Sequence, residues 1–139
     1  MERRRLILLT ALAVFIAPPA YPYQADQCRL PKGAKSTISL TDFPPLLQRL
    51  NYGLGRRDGP LATDVPQHFN PPMERLLRAF NLGRRWVIVE QAGGFARYLK
   101  MVVYALSKKG DLAMLITDHP QQPSCRAIVT ALQSGPADY

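Results

Sequence analysis

Few side chains in this chain combine a type and spacing that could do chemistry, and the acids come first. The residues past the leader described below carry Asp26, Asp42, Asp58, Asp64, Glu74, Glu90, Asp111, Asp118 and Asp138. Several sit where turns or helix caps use a carboxylate locally. Glu90 is the exception, because it interrupts the apolar run Trp86–Gln91 beside Gly93-Gly94. At a strand end its side chain is expected to face water. Turned into a core instead, its pKa would rise, which is one condition for a general acid. A small hydrolase would bring Glu90 together with Asp118 and His119, since acid–base work needs hydrogen-bond reach to one substrate.

Other chemistries find less support. His68 and His119 lie far apart, Asp118–His119 reads as a solvated turn, and no HExxH, Cys-x-x-Cys or carboxylate cluster occurs, so no metal or other cofactor is expected. There is no Gly-x-Ser-x-Gly and no Ser-x-x-Lys for a nucleophilic serine. Gly53-Leu54-Gly55 is too short for a phosphate loop and follows a helix rather than a strand.

The basic residues offer one further candidate. The formal net charge is +8, and Arg56, Arg57, Arg84 and Arg85 form two pairs, each just past an expected helix. A helix C-terminus favours cations in any case. If the two helices ran parallel, the four guanidinium groups would share one end and could hold phosphate or carboxylate groups of an envelope surface or an acidic protein. An antiparallel pair would separate them.

The start of the chain reads as an address. Arg3, Arg4 and Arg5 precede an apolar run from Leu6 to Ala17, followed by Pro18, Pro19 and Ala20, which are the three parts of a secretory signal peptide. As a helix the run spans ~18 Å, against ~30 Å for a bilayer core. Residues 1–25 are therefore assigned to a leader cut after Ala20 or Ala25, and 26–139 to one small domain. Cys28 and Cys125 then reach an oxidising compartment, where their simplest fate is a disulfide enclosing nearly the whole mature chain. Nucleic acid is excluded as a partner outside the cytoplasm, and no aromatic-basic stacking motif supports it.

These candidates need elements to position them. Phe43, Leu46, Leu47 and Leu50 line one face of an expected helix over Asp42–Gly53, with Asp42 as its cap and Gly53 as its stop. Met73, Leu76, Leu77 and Phe80 repeat that plan over Asn70–Gly83, where Glu74 also sits four residues before Arg78. Both segments run from Pro-Pro to Leu-Gly-Arg-Arg, which shared capping needs explain without duplication. Residues 36–40 are β-like. Trp86–Gln91, Phe95–Leu106, Asp111–Thr117 and Cys125–Leu132 read as strands, although 95–106 also suits a helix. Short breaks between them imply an antiparallel meander. The expected fold class is α+β, with two amphipathic helices packed on one face of a four-stranded antiparallel meander.

The stretch Tyr104–Leu132 together with Cys28 resembles a group of small exported bacterial proteins of uncharacterised function. They share a leader, an early cysteine and a Gly-containing hairpin leading to a second cysteine. That resemblance implies a periplasmic setting and no particular activity. The function expected is a periplasmic or secreted, non-enzymatic accessory module that binds an envelope component or another protein. A small envelope hydrolase and a basic protein touching anionic envelope surfaces are the alternatives. Protein recovered after export and alkylated without reduction is expected to show an intact mass beginning at Tyr21 or Asp26, with no alkylated thiol. A full-length mass with two alkylated cysteines would overturn both readings.

Overall fold

The computed structural model describes residues 27–61, 72–94, 97–119 and 123–134. The expected leader, His68, the Asn70 and Pro71 start of the second expected helix, and Phe95 lie outside the described residues. Five strands follow one another: β1 (Lys35–Thr37), β2 (Glu74–Leu82), β3 (Arg85–Ala92), β4 (Tyr98–Leu106) and β5 (Ala113–His119). Helix α1 (Pro45–Leu50) lies between β1 and β2, and α2 (Cys125–Gln133) follows β5. The strands make one sheet in the order β1-β2-β3-β4-β5, every neighbouring pair antiparallel, so the fold is α+β.

One helix covers each face, where two helices on a single face were expected. Phe43, Leu47 and Leu54 from the α1 region pack on Leu76, Ala79, Trp86, Ile88, Val102 and Leu106. Ile128 and Leu132 of α2 pack on Phe80, Val87, Val89, Met101 and Val103. Alternate residues of β3 thus enter two different cores, and six of its eight residues from Arg85 to Glu90 are buried without a break. A strand covered on both sides loses the apolar–polar alternation of a half-exposed one.

The segment expected as a helix over Asn70–Gly83 is β2. A β-bulge between Leu76 and Arg78 inserts one residue against β3. Leu76 and Ala79, three apart, therefore share the α1 face, while Phe80 enters the α2 face. A bulged strand buried on both sides can imitate helical spacing. The partner strand decides the outcome: Gly83–Arg84 forms a two-residue turn, with Gly83 at φ 59°, and folds β2 directly onto β3. The Pro-Pro to Leu-Gly-Arg-Arg segments consequently adopt different structures.

The segment expected as a strand over Cys125–Leu132 is α2. The Ser124 hydroxyl accepts a hydrogen bond from the Ala127 N–H at 3.1 Å, an N-cap that starts the helix. Ile128 and Leu132 are buried one turn apart, and Ala127 and Ala131 let the helix approach the sheet. Helix α1 is shorter than the expected Asp42–Gly53. A 3-10 turn at Leu40–Asp42 precedes it, Asp42 accepts from the Thr37 hydroxyl instead of capping α1, and Asn51 ends it. Tyr98–Leu106 is a strand, and with Cys125–Leu132 lost to α2, three of the four expected strands remain and β1 and β2 bring the sheet to five.

Cys28 and Cys125 are joined by a disulfide, 97 positions apart in sequence. It ties the entry of the chain to the first residue of α2, with Cys28 packed against the α2-side core. The chain-entropy model assigns such a closure ~4–5 kcal/mol. Replacing both cysteines by serine is expected to lower the free energy of urea unfolding by that order, and a loss below about 1 kcal/mol would refute the assignment. Leu47→Ala and Ile128→Ala, one on each face, should each cost ~2–5 kcal/mol in the same assay.

Candidate functional site

The polar exception singled out by sequence lies inside the sheet. Glu90 is only 3% exposed, on the α1 face of β3, opposite Leu76 of β2 and Lys100 of β4. The expectation that it faces water fails because α1 and the loop after it cover this face. Lys100 Nζ lies 3.0 Å from Glu90 Oε2 and 2.7 Å from Glu74 Oε1, bridging the two carboxylates. Its approach to Oε2 is out of line for a directed hydrogen bond, and that oxygen has no other partner among the described residues. The ammonium holds Oε2 by charge and by a bent hydrogen bond, and a carboxylate oxygen with two lone pairs can accept a further one.

Burial pushes the Glu90 carboxyl from an ordinary 4.5 to about 7. Lys100 opposes that rise, while the nearby charges of Glu74 and Asp118 add to it. For Lys100 itself, burial acts to lower the pKa, but the two carboxylates outweigh burial and hold the ammonium protonated well above its usual range. Tyr104, on β4, is raised by burial and by the charge of Glu90, and its hydroxyl meets the Asn51 side chain. Asn51 also donates to Leu47 O at 2.8 Å, so the end of α1 is fastened to the helix and to the sheet.

Above these groups a cleft of about 740 Å³ opens, lined by Leu50, Asn51, Tyr52, Leu54, Met73, Glu74 and Glu90 among others. One wall is the loop after α1, pinned to the start of β2 by Gly55 N–H to Glu74 O at 2.8 Å and Leu76 N–H to Gly55 O at 2.9 Å. Only glycine permits this approach, since a Cβ at position 55 would stand 2.7 Å from Pro72 Cγ. Tyr52 stands at the cleft almost fully exposed, at 90%.

Other sequence candidates fall elsewhere. Asp118 shares the Glu90 face, opposite Val102, but lies two strands away and outside the cleft's described lining. His119 ends β5, opposite Met101. The four arginines do not converge. Arg57 donates to Leu77 O at 3.3 Å near the start of β2, whereas Arg84 and Arg85 follow its far end, roughly 20 Å along at ~3.3 Å per residue. Arg85 is buried beneath α2, where it donates to Ala131 O at 3.4 Å, and Arg56 is exposed. Among the described residues, no three His, Cys, Asp or Glu side chains are placed to hold a metal ion.

Sequence reasoning missed Lys100, Glu74, Tyr104 and Asn51. Lys100 was legible as a lone charge inside the apolar stretch Tyr98–Leu106. Glu74 was assigned to a helical pair with Arg78, a pairing that vanishes once the segment is a strand. Fold and site together define a disulfide-closed α+β sheet with a carboxylate–ammonium–carboxylate cluster beneath an open cleft. No protein-family model, curated protein or solved structure matches the chain.

The cluster makes stability depend on pH. Glu90 has a raised folded pKa, so the folded state holds its proton more tightly than the unfolded chain does. Its contribution is most favourable below 4.5 and declines as pH rises to about 7, by about 3 kcal/mol in all. Glu90→Gln is expected to remove that decline in urea unfolding measured from acid to neutral pH. Lys100→Met strands two carboxylates and should cost ~3–5 kcal/mol.

Proposed function

We propose that this protein is an exported, non-enzymatic binding module whose cleft takes a ligand bearing a protonated amine. The reading rests on one observation above others: Glu90 Oε2 is buried at the cleft, held among the described residues by the Lys100 ammonium alone. A buried acceptor in that state gains from a donor brought by a ligand. Once Glu90 ionises, Glu74 and Glu90 outnumber Lys100, making this a locally acidic site in a chain of net charge +8. Leu50, Leu54 and Met73 supply apolar walls, and the exposed ring of Tyr52 can take the face of a saccharide or the cation itself. The leader-like pattern of residues 1–25 and the disulfide support an extracytoplasmic setting, whether periplasmic or secreted. Among the described residues, no helix is long and apolar enough to cross a membrane.

The hydrolase reading stays second. A carboxyl titrating near neutrality beside another carboxylate favours it. Against it, the Lys100 ammonium occupies the space between Glu74 and Glu90, where a scissile bond would have to sit. Binding to anionic surfaces through the arginines is weaker still, since the pairs lie at opposite ends of β2.

Glucosamine oligomers and their N-acetylated counterparts distinguish these readings by calorimetry, because they share a backbone and differ in amine charge. The free-amine oligomer is expected to bind, to weaken as pH falls well below 7 and Glu90 takes up its proton, and to be lost in Glu90→Gln. Equal binding of both oligomers, or no effect of Glu90→Gln, would overturn the amine reading. Turnover of either oligomer that disappears in Glu90→Gln would establish the hydrolase.

A further inference from the structure

The two edges of the sheet are protected very differently. The β1 edge is three residues long and begins with the exposed Lys35. The β5 edge is seven residues long, pairs only with β4 among the described strands, and has neither lysine nor proline from Ala113 to Thr117. Leu112, Met114, Leu115 and Ile116 along it are between 41% and 66% exposed. A bulge at Ile116 is its one deterrent to pairing. An open row of backbone donors and acceptors flanked by apolar side chains is a template for another strand.

We propose that the occupant of this edge is a second copy of the chain, its β5 paired antiparallel across a two-fold axis so that the two sheets become one. The charges along the strand favour that arrangement. Exposed Lys108 and Lys109 stand before its start, and exposed Asp118 stands near its end. Antiparallel pairing centred on Ala113–Met114 sets Lys109 of each copy opposite Asp118 of the other, and the exposed Asp111 opposite Ile116 rather than opposite another acid. Parallel pairing would instead set like charges together. The contact is self-complementary, as a two-fold interface requires. Met114 and Leu115 occupy opposite sheet faces, opposite Ala105 and Tyr104, so apolar contact forms on both sides. On the α2 face, Ile116 borders a hollow of about 480 Å³ with Met101, Val103 and Ala127, which offers room for an apolar side chain of the second copy. This inference uses a different surface from the cleft and stands or falls without it.

The test is sedimentation velocity on disulfide-intact protein across the micromolar range, with carbodiimide cross-linking of a mixture of isotopically light and heavy chains. The expected result is a concentration-dependent species of twice the monomer mass, with mixed-isotope cross-links joining Lys108 or Lys109 to Asp118. Leu115→Lys should abolish both while leaving the circular dichroism and the disulfide unchanged. A monomer at every concentration would overturn the proposal, and is the result expected if the edge serves a foreign peptide. A dimer that lacks these cross-links, or that survives Leu115→Lys, would overturn it equally. Because the cross-link is read on the unaltered chain, the outcome does not depend on that variant folding.

Discussion

β3 has a helix over each face, and the rest of the structure depends on that double cover. It forces Val87 and Val89 into one core and Trp86 and Ile88 into the other. It also leaves no solvated side for Glu90. A carboxyl in that position ionises only at a cost, and the fold supplies the nearest remedy, an ammonium from the adjacent strand. Lys100 in turn reaches Glu74 on the strand beyond, so three consecutive strands, β2, β3 and β4, are tied by charge as well as by their backbone ladders. The remedy is incomplete. The Glu90 carboxyl still titrates near neutrality, and its Oε2 is held by the Lys100 ammonium alone among the described residues.

The cleft follows from the same cover. Helix α1 is only six residues long, so it spans little of its face, and the loop after it must complete the lid. Gly55 allows that loop to bond directly to the start of β2, which leaves a hollow between the loop and the carboxylates. Opposite, the disulfide fastens α2 where the sheet needs its second cover. Two arginines that looked available for anions serve this architecture, Arg57 bonding to Leu77 O and Arg85 to Ala131 O, and Arg75 likewise bonds to Gln91 Oε1 and Gly59 O. Long cationic side chains with apolar stems suit such bracing of loop and helix backbone.

The candidate site was partly legible. Glu90 drew attention for the right reason, an acid in an apolar run, but its burial was not, because burial depends on what lies over the strand rather than on the strand itself. Reading Trp86–Gln91 as continuously apolar could have signalled cover on both faces. Lys100 and Glu74 are distant in sequence and meet through strand register alone.

By itself, the sequence determined the mainly antiparallel character of the second half, the amphipathic segment before Asn51, and the presence of two cysteines able to close the chain. Those follow from composition and short-range spacing, which act within a few residues. Tertiary structure decided the rest. Whether Glu74–Leu82 is helix or strand turned on a partner strand and a bulge, since the apolar spacing satisfies both states. Whether Cys125–Gln133 is strand or helix turned on the Ser124 cap and on a sheet face that lacked cover. The site arose last, because a buried charge acquires its pKa and its partners only when separate strands are brought into register around it.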